Sequence, residues 1–182
     1  MSAPQRTALL LIDMQVDFAA PDGAMARQGN DMAAPQAALA KAGMLADAAR
    51  KAGVPLFFVR LLNAPSGQFC VEGTRGAEFV GPQPQAQDVI VSKSRFSAFA
   101  RTGLAELLRD QGIDTVVLAG VTTECCIQAS AWAAFEFDFC VVLASDACAA
   151  YEEELHRHAL RALELGGATL ASSTELAAVW TK

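Results

Sequence analysis

Apolar runs of strand length alternate along the chain with amphipathic stretches of helix length, and this alternation constrains the fold more than any other feature. TALLLID (7–13), VPLFFVRLL (54–62), DVIVSK (88–93), DTVVLAG (114–120), FCVVLAS (139–145) and ATLAS (168–172) read as strands. Helices are predicted over 37–52, 104–111, 123–135, 152–165 and 174–180, with Gly53 and Gly112 ending the first two. Strands that are apolar nearly throughout are covered on both faces, and helices between most successive strands make those connections crossovers. The expected fold class is therefore α/β, a doubly wound three-layer fold around a central, mostly parallel six-stranded sheet. A chain of 182 residues is short for two cores and carries no low-complexity linker, so a single domain, 1–182, is expected.

Segment 63–84 carries Pro, Gly, Ser and Gln without a period, and reads as a long surface loop with one helical turn near 77–80. Loops of that length in compact domains tend to carry function.

Several function classes are disfavoured early. A formal net charge of −6 offers no counterion-release advantage on a phosphate backbone, so no nucleic-acid partner is expected. The apolar run near the start is cut at Asp13, well short of a signal segment or membrane span, which makes no membrane partner and a cytoplasmic location the expectation. Five cysteines, an odd number without a C-x-x-C pair, point to reduced thiols rather than a disulfide framework or zinc site. His156 and His158 stand two apart on a predicted helix and diverge, so they cannot share a metal. A dinucleotide fingerprint, a Walker sequence and G-x-S-x-G are all absent, so neither a cofactor nor a serine nucleophile is expected.

Ligands in doubly wound sheets bind outside the carboxyl ends of the strands. Asp13 closes the first strand, Lys93 the third, and Cys126 follows the fourth on the first turn of a helix. A helix N-terminus and a neighbouring lysine lower a thiol pKa. Asp13 can then take the thiol proton and deliver it to a leaving nitrogen, while donors around Cys126 face the oxyanion. Spacing alone leaves this one reading among several, because any such sheet sets polar residues at strand ends. Asp13 could cap a loop, Lys93 could be solvated, and Cys126 could be a small buried hydrophobe.

The motifs narrow the choice. LLLIDMQVDF (9–18), VSKSRFSAF (91–99), DTVVLAGVTTECCIQASA (114–131) and VVLASDACAAY (141–151) resemble the isochorismatase-like cysteine hydrolase superfamily, which includes nicotinamidases and the carbamoylsarcosine, ureidoacrylate and biuret hydrolases. The resemblance implies that Asp13, Lys93 and Cys126 form a catalytic triad. It also implies a non-proline cis peptide before Thr122, with the Thr122 and Cys126 N–H groups as the oxyanion hole. Gly120, Thr123, Cys126 and Ile127 fit the family spacing and select Cys126 over Cys125 as nucleophile.

The activity implied is hydrolysis of a C–N bond in a small amide, ureide or carbamoyl compound through a thioester, in a homodimer or homotetramer. The alternatives are an isochorismatase-type vinyl ether hydrolase, which has less need of a cysteine, and a non-catalytic small-molecule-binding domain. Nicotinamidases of this family carry an Asp/His metal cluster after the second strand; this chain has no histidine before His156, so no metal is expected. Trp132, Ala133 and Asp138 depart from the residues common in relatives and mark an unusual environment behind the site.

Phe18 is placed as a pocket wall, and Asn63 and Arg95, with Arg60, as substrate contacts. Gln15 and Asp17 are expected to hold the loop after the first strand. Cys125, Cys140 and Cys148 are expected to pack, and Cys70 to be an incidental loop thiol. Successive residues on an α-helix diverge by about 100°, which implies that Cys125 and Cys126 do not face one pocket.

Overall fold

The structure, a computed structural model, describes residues 6–181; residues 1–5 and 182 of the expected domain lie outside the described residues. The strands are β1 (Thr7–Ile12), β2 (Leu56–Leu61), β3 (Val89–Lys93), β4 (Thr115–Val121), β5 (Cys140–Ala149) and β6 (Thr169–Ala171). They form a six-stranded sheet in the order β3-β2-β1-β4-β5-β6, and every neighbouring pair is parallel. The chain builds outward from β1 on one side and then returns to place β4 on the other. That reversal opens a crevice at the carboxyl ends of β1 and β4.

Alternate residues of each strand feed two cores. Leu10, Ile12, Phe57 and Leu118 pack under α4 (Leu104–Asp110), α5 (Gln128–Glu136) and α6 (Glu153–Leu165). Leu9, Leu11, Phe58 and Ala119 face α3 (Ala33–Ala52) and α7 (Ser173–Trp180). The alanines of α3, among them Ala42, Ala46 and Ala49, let that helix lie close on the sheet.

The element types follow the sequence reading, and the differences are local. α3 starts at Ala33 rather than 37, with Pro35 tolerated in its first turn, and Gly53 ends it in the left-handed conformation (φ 71°). Two short helices absent from the reading, α1 (Val16–Ala19) and α2 (Ala24–Arg27), fold after β1. The turn in the long loop is a 3₁₀ turn at Arg75–Ala77, just ahead of the predicted position. β5 runs past 145 to Ala149, because a register shift between Leu118 and Gly120 on β4 re-pairs it with Cys148 and Ala149.

Cys148 is buried as expected, but Cys140 is exposed at the open start of β5. Cys70 is fully buried, and its N–H donates to Asp17 Oδ2 at 2.8 Å. The thiol thus packs inside the loop rather than standing on its surface. Among the described residues no helix is long and apolar enough to cross a membrane.

Candidate active site

β1 ends at Ile12, and Asp13 turns the chain there with φ 54°, a conformation that aspartate tolerates better than most residues. Its N–H donates to Val59 O on β2 (2.8 Å), which sets the carboxylate at the end of the sheet. Lys93 reaches the same point from β3 at the sheet edge. Its Nζ donates to Asp13 Oδ2 (2.7 Å), to Arg95 O (3.0 Å) and to Cys126 Sγ (3.4 Å). Those contacts use the full donor capacity of an ammonium. Both the Asp13 and Lys93 side chains are wholly buried, whereas Asp13 Oδ1 has no hydrogen-bond partner.

Cys126 comes from the other side of the crevice. β4 approaches β1 so closely that a Cβ on Gly120 would lie 2.0 Å from Ile12 O, so glycine is required there. The Val121–Thr122 peptide that follows is cis, as the resemblance implied. Residues Thr123–Ile127 then form a π turn, in which Ile127 N–H donates to Thr122 O at 3.2 Å. Ser130 ties this turn down: its hydroxyl donates to Cys126 O (2.6 Å) and accepts from Ala98 N–H (2.9 Å).

A cavity of about 260 Å³ opens over Cys126. Phe18, Met25, Leu61, Phe69 and Phe96 make its apolar wall, and Thr122, Glu124, Cys125, Cys126 and Tyr151 line the rest with Val121. Tyr151 O–H donates to Phe18 O at 2.8 Å and so holds two walls together. Cys125 faces the cavity beside Cys126, against the expectation from α-helical divergence. The reason is the π turn, which is wider than an α turn and rotates successive side chains less.

The electrostatics also differ from the sequence reading, which had the turn and Lys93 lowering the Cys126 thiol pKa. The Cys125 thiol, burial and the Asp13 carboxylate, in that order, push Cys126 above its ordinary range, and Lys93 opposes them. Burial raises Asp13 above the usual carboxylate range, although Lys93 pulls it down. For Lys93 burial works to lower the value, but Asp13 and Cys126 outweigh it and the ammonium is held.

Of the expected substrate contacts, Phe18 lines the cavity and the others do not. Asn63 Nδ2 donates to Phe69 O at 2.8 Å, which commits it to the long loop. Arg95 turns its guanidinium outward to Ser94 O (2.8 Å) and offers only its carbonyl to the site, through Lys93. Arg60 donates to Ser92 Oγ at 3.1 Å on the sheet surface. Gln15 holds the end of β2, accepting from Leu61 N–H (2.8 Å) and donating to Leu61 O (2.9 Å) and Ala77 O (3.0 Å). Asp17 accepts from Ala24 N–H (3.1 Å) as well as from Cys70. Trp132 stacks near Phe135 on the outer side of α5 and is not part of the cavity.

A family model described as Isochorismatase domain matches residues 7–175. The chain belongs to the isochorismatase family. This family member is 33% identical over 183 residues to nicotinamidase 3 of Arabidopsis thaliana, covering 93% of this chain and 86% of the relative. It is 39% identical over 150 residues to maleamate amidohydrolase of Pseudomonas putida, covering 74% and 68% of the two chains. A crystal structure of an isochorismatase family protein from Desulfovibrio vulgaris superposes with a TM-score of 0.87 at 30% identity, covering 97% of this chain and 99% of that one.

The isochorismatase fold thus supplies the crevice, while several of its linings here lay outside the sequence reading. Tyr151 and Phe96 end or interrupt motifs that were visible, but Met25 and Phe69 sit in segments without a period. His156, read from the sequence only as unable to share a metal with His158, has its Nδ1 2.8 Å from Thr123 Oγ1, and Thr123 is buried in the π turn. As for a metal, the segment following β2 supplies Leu62 and the committed Asn63, and among the described residues no group of His, Cys, Asp and Glu is arranged to hold an ion. The donor set does not fit one.

Proposed function

We propose that this chain is a cysteine amidohydrolase that cleaves the C–N bond of a small amide, ureide or carbamoyl compound through a thioester on Cys126. The observation that carries the reading is a thiol that lines the cavity, backed by a lysine ammonium 3.4 Å from its sulfur that also binds a buried carboxylate with a free oxygen. Relatives named for hydrolysis of nicotinamide and maleamate support the amide class.

The substrate carbonyl lies over Cys126 with its oxygen toward the N–H groups of Thr122 and Cys126. The Cys126 proton passes to Asp13, whose raised pKa suits it as acceptor, and the sulfur attacks the carbonyl carbon. Lys93 offsets negative charge on the sulfur as it develops. When the tetrahedral adduct collapses, the C–N bond breaks and Asp13 returns the proton to the leaving nitrogen. Water then loses a proton to Asp13, attacks the thioester carbon and releases the acid, and the sulfur regains its proton. No step calls on a cofactor. The apolar wall beside Cys126 lowers the local polarity and strengthens each of these interactions.

Mass spectrometry of enzyme quenched during turnover of small amides tests this directly. An acyl mass is expected on the peptide carrying Cys126, and Cys126→Ser is expected to lose about a thousandfold or more in turnover while keeping its far-UV spectrum. Full activity in Cys126→Ser, or acyl mass on Cys125, would overturn the assignment.

A further inference from the structure

One group in the cavity has no part in the chemistry above. Glu124 stands on the π turn two residues before Cys126, lines the same cavity, and its Oε2 is buried without a hydrogen-bond partner. A carboxylate oxygen shut away from water without a donor is costly, so its natural complement is a donor brought by a ligand. The remaining described lining is apolar or carries hydroxyl and thiol groups; no arginine, lysine or histidine is among it. Lys93 reaches Cys126 from below, but its donors are already committed to Asp13, Arg95 O and the sulfur.

We propose that Glu124 is a specificity-determining residue that selects substrates whose far end presents N–H donors, an amide, ureide or amine, and rejects those ending in a carboxylate. The inference rests on the reading of Cys126 as the reactive residue of this cavity. A carboxylate placed opposite Glu124 would meet like charge in a space with no free cation, whereas an NH₂ group there fills the vacant acceptor. This deepens the amide reading by naming the chemistry at the end of the substrate remote from the scissile bond.

Malonamide and malonamate test it, since they share a scissile carboxamide and nearly the same shape and differ at the far end in NH₂ against O⁻. Protection of Cys126 from iodoacetamide reads occupancy of the cavity whether or not turnover occurs. Malonamide is expected to protect at a concentration about tenfold or more below malonamate, a difference that like-charge repulsion readily supplies. Glu124→Gln, which keeps the shape and removes the charge, is expected to bring the two probes within about threefold of each other.

Equal protection by both probes in wild type, no protection by malonamide, or an unchanged ratio in Glu124→Gln would overturn the assignment. The wild-type comparison stands without any variant. Failure here is distinguishable from failure of the mechanism, because an acyl adduct on Cys126 would survive a wrong Glu124, and selective protection from alkylation would survive a Cys126 that forms no acyl adduct.

Discussion

Two acid–cation pairs tie the β2–β3 side of the sheet, and they are finished differently. Arg50 on α3 meets Asp88, just ahead of β3, at 2.5 Å, and Asp88 Oδ2 also accepts from Gln85 N–H at 2.8 Å. Arg50 in turn donates to Gln83 O (2.9 Å) and lies over the Phe58 ring. The whole assembly clamps the end of the long loop to the helix. Asp13 and Lys93, at the opposite end of β3, are more deeply buried, yet Asp13 keeps an oxygen without a partner beside a thiol. In the Arg50 pair the buried atom left without a partner is a donor, Arg50 Nε, whereas in the Lys93 pair it is an acceptor, Asp13 Oδ1.

The contrast breaks most sharply at Lys93. Lys93→Met is expected to lower turnover about a hundredfold or more, because charge developing on sulfur loses its neighbour. The pH profile of iodoacetamide alkylation should move to higher pH in the same variant, and identical profiles would give Lys93 some other role. Adding Asp13→Asn should recover stability by removing an uncompensated buried carboxylate, without recovering turnover.

At the other pair the outcomes should be inverted. Arg50→Met is expected to cost about 1–3 kcal/mol of stability by leaving Asp88 unpaired, read from the urea midpoint, with turnover per folded molecule near wild type. Activity lost in proportion to that at Lys93 would erase the distinction between the pairs.

The smallest expected effect concerns His156, which buttresses the π turn through Thr123. Burial holds its pKa below the ordinary value of 6.5, against the opposing pull of Glu124 and Glu153. Because the folded value is depressed, the unfolded chain takes up the proton first as pH falls. The stabilising contribution is therefore present above 6.5 and lost as pH drops below it toward the folded value. Urea midpoints at pH 7 and pH 5 should diverge more for wild type than for His156→Gln, and equal divergence would remove His156 from the turn's support.

Much of this arrangement is legible in the chain, for a definite reason. The strand reading rested on runs such as TALLLID and DTVVLAG, whose apolar character is local and survives in any context that buries both faces; β1 and β4 lie within a residue or two of the limits so read. The end of a strand is also where a doubly wound sheet exposes its residues to ligand, so Asp13, Lys93 and Cys126 were identifiable as candidates by position and motif.

What surrounds them was not legible, because it depends on partners far away in sequence. Phe69 and Phe18 come together at 6.1 Å between ring centres only when the long loop folds back over β1. Asn63 and Arg95 have the chemistry of substrate contacts, but in the fold each gives a donor to a neighbouring carbonyl and neither lines the cavity. The shared orientation of Cys125 and Cys126 turns on a single wider turn, and no periodicity in TTECCI distinguishes it from an α-helical one. Local pattern thus determined the elements and the candidates for the reactive groups. Long-range packing decided which polar atoms remained free, since a hydrogen-bonding group is available to a ligand only if the folded chain leaves it without a partner.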